Sequence, residues 1–370
     1  MDRAIHLPPT PGYAPRRLEE GEFSPPSVKG VLVLLVVFGH LLTDVRGAYD
    51  DILLKWVYLF LYTFHMPLFI MLSGYFYQEN RYLRVIQLFV VYVIWQVILG
   101  SWFAFTEGIP IFSLENPGLN LLKPYWALWY LMAIIFWYII TPYVTQLKGY
   151  VSYALLFALL FGFQAEATGY FALRKVIMFY PFFLIGNWMS ERNTLNFFEL
   201  PKRAEHRNRY RIGGAIVFTT LTLGLLVSMR VQQDDTFYHI GNLFKFRFAY
   251  DTAVPEAMWS GPFAFLIVYT VSLLMSISFA LIIPGRQLPI FSRAGQYSLY
   301  VYLVHVFFVV AWKAFIPAGF MPTSWMQLLV LFGVAFVMVL VIISPPMVRL
   351  LRPLVEIDVK RVQNTKGVKG

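Results

Sequence analysis

Long apolar stretches recur along almost the whole chain, and each is about as long as a lipid bilayer is thick. A membrane-spanning helix needs about 20 mainly apolar residues, and a helix satisfies its own backbone polar groups inside hydrocarbon. The sequence therefore predicts an all-α fold, a polytopic transmembrane helix bundle of about ten helices. The predicted spans are residues 28–46, 52–77, 85–106, 125–147, 149–167, 171–190, 211–230, 259–283, 297–316 and 326–346.

The composition supports a membrane protein. Of 370 residues, 58% are hydrophobic and 14% are charged, whereas a soluble domain carries about a quarter charged residues. The chain has no cysteine, which excludes disulfides, thiolate metal sites and a cysteine nucleophile. We find no metal-ligand spacing and predict no metal site.

Most of the 30 Lys and Arg residues fall in segments that a ten-helix topology would place in the cytoplasm. The clearest basic segments are 192–211 and 349–369. The net charge of +10 is therefore interpreted as the positive-inside pattern, and no nucleic-acid partner is expected. We predict cytoplasmic N- and C-termini and a multi-pass location in the cell inner (plasma) membrane.

The chain divides into one membrane domain and two tails. Residues 1–27 contain six prolines and no long apolar run, which indicates a disordered cytoplasmic tail. The transmembrane domain is predicted to cover residues 28–347. Residues 348–370 are predicted to form a basic cytoplasmic tail.

Three histidines, His40, His65 and His305, lie inside predicted spans, where ionisable groups are costly and often functional. His40 follows the start of its span by twelve residues, which places it about 16–18 Å deep in a helix. It is either a general base in a buried cavity or a histidine hydrogen-bonded to a neighbouring helix.

The other two histidines have equally open interpretations. His65 lies two residues before Pro67, which kinks a helix, so a structural role is favoured over substrate contact. His305 shares a helical face with Tyr302 and Ser298, and this polar stripe is either structural or substrate-lining. We carry His65, Ser298 and Tyr302 forward as candidate substrate-lining residues.

Basic residues accompany the histidines near the predicted inner face. Lys29 precedes His40 by eleven positions, about three helical turns, so both share one face of the first helix. Arg81 and Arg84 have the i, i+3 spacing of one helical side. The three cations suit an anionic cytosolic ligand, although each alone is typical of a snorkelling or positive-inside anchor.

Several motifs occur in the order and spacing of the acyltransferase family 3 proteins, and the chain most resembles the fucose 4-O-acetylase-like branch. They are KGVLVLLVVFGH, FHMPLFIMLSGYFY, RYLR, ALWYLMAIIFWYIITP and YSLYVYLVH. The resemblance covers about Lys29 to Pro346. One position departs from it: Pro26 stands where members of the branch often have an acidic residue.

The resemblance implies transfer of an acyl group, usually acetyl from acetyl-CoA, to a carbohydrate or exported glycan. It implies His40 as the catalytic histidine, with His305 beside the same cavity as a second catalytic candidate. Lys29, Arg81 and Arg84 would bind the acyl-CoA donor. His40 would act as a general base or form a covalent acyl-histidine, and a hydroxyl of Tyr302 or Ser298, or a backbone amide, would stabilise the oxyanion.

Two hypotheses from other classes stay open at this point. The chain could be a transporter or flippase for a glycan or lipid-linked sugar, or a non-catalytic membrane subunit. Acceptor contacts are expected in the outer loops 107–124 and 231–258. The second loop carries Asp234, Asp235, His239, Asp251 and Glu256. The acyl group, the acceptor sugar and the oligomeric state are not predicted.

Overall fold

The structure is a computed structural model that describes residues 25–45, 52–79, 81–107, 120–165, 169–191, 204–231, 243–283, 288–315 and 323–357. Within these ranges the regular elements are all helices, and no strand is present. The predicted all-α fold is confirmed for the described part of the chain.

Thirteen α-helices make up the described fold, with three short 3-10 segments between them. The α-helices are α1 (Pro25–Val45), α2 (Ile52–Tyr75), α3 (Tyr82–Glu107), α4 (Trp129–Val144), α5 (Tyr150–Phe161), α6 (Leu173–Glu191), α7 (Ala204–Val231), α8 (Tyr250–Ala253), α9 (Gly261–Ile282), α10 (Pro289–Gln296), α11 (Ser298–Phe315), α12 (Ser324–Ile342) and α13 (Pro345–Val355). The 3-10 segments are Trp126–Leu128, Tyr170–Ala172 and Pro255–Ser260.

All ten predicted spans coincide with helices of the described fold. Seven helices are long and apolar enough to cross a membrane, namely α1, α2, α3, α4, α7, α9 and α12. Helices α10 and α11 together pass the same test but meet at a bend of 85°. Helix α5, with 12 residues, is shorter than a span, and α6 begins with Arg174 and Lys175 and ends with Glu191. The chain is thus a multi-pass membrane protein with seven or eight clear spans among the described residues.

Helix α1 packs against α2, α10, α11 and α12, so its residues occupy the middle of the bundle. Its contact with α10 is close: a Cβ atom placed on Gly30 would lie 1.9 Å from the carbonyl oxygen of Phe291. Only glycine allows two backbones to approach this closely. Gly30 therefore fixes the start of α1 and with it the position of Lys29.

Helix α2 packs against α6 with a similar approach, because a Cβ atom on Gly74 would lie 1.9 Å from the carbonyl oxygen of Phe183. Pro67 lies inside α2 and is buried. The hydrogen bond that Pro67 cannot donate leaves the Thr63 carbonyl without its usual helical partner. The α2–α6 contact places the apolar end of α2 in the protein interior.

The described chain extends slightly beyond the predicted membrane domain at both ends. Helix α1 begins at Pro25, and α13 continues to Val355. Two hydrogen bonds link this C-terminal segment to the bundle: Trp95 Nε1 donates to the Leu354 carbonyl at 3.1 Å, and Tyr300 Oη donates to Glu356 Oε1, just after α13, at 2.9 Å. The predicted tails were residues 1–27 and 348–370, and their outer parts, residues 1–24 and 358–370, lie outside the described residues.

Candidate active site

Two cavities enter the bundle from opposite ends of α1. The larger has a volume of about 700 Å³ and adjoins the C-terminal end of α1; its lining includes His40, Thr43, Tyr58, Tyr62, His65, Trp126, Trp129, Arg174, Lys175, Lys245 and Arg247. The smaller has a volume of about 150 Å³ and adjoins the N-terminal end of α1; its lining includes Lys29, Ser73, Arg84, Tyr130, Ser298 and Tyr302. We call them the large and the small cavity.

His40 lies at the inner end of the large cavity, where α1, α11 and the segment before α4 meet. Its ring centroid is 4.7 Å from that of Trp126, edge to face, and 5.2 Å from that of His305. The imidazole is partly exposed to the cavity. A half-buried histidine that lines a cavity can exchange a proton with a bound molecule.

His305 is fully buried behind His40 on α11. Its Nδ1 is 3.0 Å from the Val301 carbonyl oxygen, and because a carbonyl only accepts, this assigns the proton of a neutral ring to Nδ1. The Nε2 atom then carries the lone pair, and it has no hydrogen-bond partner among the described residues. A buried lone pair close to a second imidazole can stabilise positive charge on that neighbour.

Tyr302 lies between the small cavity and the two histidines. Its ring centroid is 6.4 Å from that of His305 and 5.6 Å from that of Tyr130. The hydroxyl donates to the Ala127 carbonyl and accepts from the Leu131 N–H at 3.2 Å. The hydroxyl proton of Tyr302 is therefore already donated to a backbone carbonyl, and the structure gives no support to Tyr302 as an oxyanion donor. Tyr302 instead separates the two cavities.

Tyr130 completes this separation from the α4 side. Its hydroxyl is 2.6 Å from Ser73 Oγ, and Ser73 Oγ donates to the Phe69 carbonyl at 2.9 Å. A serine hydroxyl has one proton, so Tyr130 is the donor to Ser73. The two tyrosines are thus held by hydrogen bonds to different helices. Ser298, seven residues before His305, lines the small cavity and not the large one.

The small cavity holds two of the three predicted donor-binding cations. The ammonium of Lys29 lies 5.1 Å from the ring centroid of Phe76 and is close enough to Arg84 for their charges to repel. Arg84 Nη1 also donates to Gln87 Oε1 at 2.8 Å. Arg81 is exposed and is not among the residues that line this cavity. The structure brings Lys29 and Arg84 together and leaves Arg81 at the surface.

His65 lines the large cavity, as the substrate-lining prediction requires. It is 3% exposed, and its Nδ1 donates to the Leu61 carbonyl within α2. Its ring centroid is 5.0 Å from that of Tyr62. These contacts agree equally with the structural role that Pro67 suggested, because the ring is held within its own helix.

Trp126 is a site residue that the sequence analysis did not identify. Its φ of 29° lies in the left-handed region, which is strained for a bulky residue and recurs at functional sites. The buried side chain of Gln96 on α3 holds the preceding segment: Nε2 donates to the carbonyls of Asn120 and Lys123, each at 2.6 Å, and Oε1 accepts from the Tyr125 N–H at 3.1 Å. The available signal was the amide of Gln96 in the middle of an apolar span.

The large cavity also contains four cations that the sequence analysis did not combine: Arg174, Lys175, Lys245 and Arg247. They come from the start of α6 and from the segment before α8. Of the polar residues expected to contact an acceptor, Asp251 is exposed, and the side chain of Glu256 and residues 234, 235 and 239 lie outside the described part of the chain. Within that part, no group of three or more metal-ligating side chains converges.

Comparison with known proteins gives two matches. The family described as "Acyltransferase domain" matches residues 27–344. The nodulation protein NolL of Sinorhizobium fredii (strain NBRC 101917 / NGR234) is 35% identical over 126 residues, which cover 29% of this chain and 32% of that protein. The match thus spans about a third of the curated relative. No solved structure matches the chain.

Proposed function

Since this chain belongs to the acyltransferase family whose domain covers residues 27–344, we propose that it is an integral membrane O-acyltransferase of the cell inner membrane. It transfers an acyl group, acetyl in the simplest case, from cytosolic acyl-CoA to a hydroxyl of a carbohydrate or exported glycan. The observation that carries the proposal is the position of His40. Its side chain lines the large cavity, and its ring centroid is 5.2 Å from that of the buried His305.

The donor enters at the small cavity in this proposal. Coenzyme A carries several phosphate charges, which Lys29 and Arg84 can neutralise, while the exposed Arg81 meets the same charges at the surface. The eleven positions from Lys29 to His40 correspond to about 16 Å along α1. The pantetheine arm extends along this helix and carries the small, apolar thioester inward, while the phosphates stay outside hydrocarbon.

The acyl end must pass the pair Tyr130 and Tyr302, which lies between the small cavity and His305. Both rings are held by hydrogen bonds and not by covalent or ionic links. Tyrosine side chains can change rotamer within a conformational ensemble, and such a change is the step by which this proposal opens a path. We therefore propose that donor binding displaces Tyr302.

The acceptor hydroxyl occupies the large cavity beside His40. His40 removes the hydroxyl proton as the acceptor oxygen attacks the thioester carbonyl, and a tetrahedral intermediate forms. Its collapse breaks the carbon–sulfur bond and releases the coenzyme A thiolate, which takes the proton back from the imidazolium. His305 acts as a positioning residue, because its Nε2 lone pair favours positive charge on the adjacent ring.

A transport function has one observation in its favour, since two cavities open at opposite ends of the bundle with an aromatic layer between them. The two functions are separated by purified protein in liposomes supplied with acetyl-labelled acetyl-CoA and a glycan extract. Label recovered on glycan supports acyl transfer. Glycan crossing the bilayer without label would overturn the enzymatic proposal.

A further inference from the structure

The large cavity contains more positive charge than a neutral sugar requires. Arg174, Lys175, Lys245 and Arg247 all line it, and no acidic residue is among its described lining residues. Charges in a partly buried site repel one another and lose hydration, and repulsion acts between Lys175 and Arg247. A bound anion would compensate this repulsion.

Arg174 gives the most specific indication of a ligand. Its side chain is 2% exposed, and one Nη atom donates to the Gln164 carbonyl. The Nε and the other Nη atom are buried and have no hydrogen-bond partner among the described residues. Asp251 is the acidic residue that acts electrostatically on Arg174, but it is exposed and forms no ion pair with it in that part of the chain. Two unused guanidinium donors match a phosphate or carboxylate.

The other cations are held in place by aromatic side chains. Lys175 Nζ lies 4.7 Å from the ring centroid of Trp129, and Lys245 Nζ lies 5.1 Å from that of Tyr58, whose hydroxyl it also approaches at 3.3 Å. Such cation–π contacts fix an ammonium without neutralising its charge. Lys175 and Lys245 are therefore held in fixed positions at the wall of the cavity, and the ammonium of Lys175 keeps its charge.

Phe246 explains why the segment presents Lys245 and Arg247 to the cavity. The Phe246 ring is fully buried, with centroids 5.0 Å from Phe179 and 4.9 Å from Tyr269. Its φ of 48° is in the left-handed region, a strain that the buried ring contacts offset. The buried ring anchors the segment, and its two basic neighbours line the cavity.

We propose that the large cavity binds an acceptor that carries a phosphate or carboxylate group close to the hydroxyl that is acylated. This inference rests on the proposed function in one respect, namely that the bound anionic molecule is the acyl acceptor. The His40 end of the cavity receives the hydroxyl, and the cluster of Arg174, Lys175, Lys245 and Arg247 receives the anionic group. The proposed acceptor is an acidic or a phosphorylated sugar. The carboxylate of the first and the phosphate of the second both present oxygen atoms to the same cations.

The test is a binding measurement by thermal unfolding of the purified protein in detergent, with glucose 1-phosphate, glucuronate and glucose as probes. A ligand that binds only the folded state raises the unfolding temperature. We expect one or both charged sugars to stabilise the protein at concentrations where glucose does not, with an effect that weakens as salt is added. The charged sugar that raises the unfolding temperature shows whether the cluster binds a phosphate or a carboxylate group. Equal behaviour of all three sugars would overturn the proposal.

Variants then assign the effect to the cluster. Arg247→Gln and Lys175→Gln should each weaken the apparent affinity for the charged sugar about tenfold, the loss expected for one charge-assisted contact. The control Lys148→Gln/Arg349→Gln removes two exposed charges elsewhere and should leave the affinity unchanged. Arg247 is exposed, so its variant is expected to fold.

The same assay with acetyl-CoA separates acceptor from donor. The proposal predicts that Arg247→Gln leaves the acetyl-CoA affinity within about twofold, the range of an exposed charge. If the variant weakened acetyl-CoA and spared the charged sugars, the cluster would be a donor site and the proposal would be wrong. Because binding needs no turnover, a protein that binds charged sugars but transfers no acyl group would overturn the proposed function alone.

Discussion

The rings of His40 and His305 lie 5.2 Å apart, although 265 positions separate them in the chain. The Nδ1 of His305 donates a hydrogen bond to the Val301 carbonyl, so the basic nitrogen of this ring is Nε2. His40 lines the large cavity, and His305 is buried directly behind it. A proton taken up by His40 is thus next to a buried lone pair.

This relationship predicts the behaviour of His305 variants. His305→Ala should lower kcat about a hundredfold, the scale of a general acid–base contribution, while KM for acetyl-CoA changes little. His305→Gln, which retains a polar group near the Nε2 position, should recover part of the lost rate. The measurement is steady-state kinetics of acetyl transfer with purified protein. Equal loss in both variants, accompanied by a lower unfolding temperature, would assign His305 a purely structural role.

The arginine pair gives a second prediction. Arg84 lines the small cavity with Lys29, whereas Arg81 is exposed. Arg84→Gln should raise KM for acetyl-CoA about tenfold, because a charge-assisted phosphate contact is lost. Arg81→Gln, the matched control, should raise it about twofold or less. Equal effects of the two substitutions would contradict the position that we assign to the donor.

Gln96 is predicted to act through Trp126. Gln96→Leu removes three hydrogen bonds from the segment that leads into α4 and should destabilise the protein by about 1–3 kcal/mol. The kcat value should fall as well, since Trp126 contacts His40. Thr106→Val, at an exposed position of the same helix, is the control and should change neither quantity. An unchanged kcat in Gln96→Leu would show that the position of Trp126 does not matter for turnover.

The close approach of α1 and α10 gives a prediction about stability. Gly30→Ala places a methyl group where the Phe291 carbonyl now lies and should lower the free energy of unfolding by about 1–3 kcal/mol, the range for overpacking. Gly213→Ala is a fair control, because nothing lies within 4 Å of a Cβ atom there. Thermal unfolding in detergent measures both. Equal stability of the two variants would mean that the α1–α10 contact is looser than described.

The membrane fold could be predicted from the sequence because bilayer thickness sets the length of each apolar stretch. The predicted depth of His40 in the bilayer uses the same geometry, since helical rise converts sequence distance into depth, and it stays a prediction. Helices α5 and α6 were the exceptions, because neither is among the helices that are long and apolar enough to cross a membrane. Helix α5, at 12 residues, is shorter than the 19-residue stretch 149–167 that suggested it. The orientation of the termini stays a prediction.

Site details that depend on tertiary contacts were not predictable. The hydroxyl of Tyr302 is bonded to backbone atoms of Ala127 and Leu131, which no local pattern reveals. The i, i+3 spacing of Arg81 and Arg84 did not reveal which of them reaches a cavity. Arg84 lines the small cavity, whereas Arg81 precedes α3, which begins at Tyr82, and is exposed. The cationic cluster combines two segments that are about 70 positions apart and meet only in the fold.

The central claim is that His40 performs proton transfer at the meeting point of donor and acceptor. The most direct measurement is acetyl transfer from labelled acetyl-CoA by His40→Ala, with acetyl-CoA binding measured on the same preparation. Thr43→Ala, one helical turn away in the same cavity, is the control and should retain activity. We predict that His40→Ala binds acetyl-CoA normally and transfers acetyl at least about a hundredfold more slowly. Transfer at the wild-type rate by folded His40→Ala protein would contradict the account.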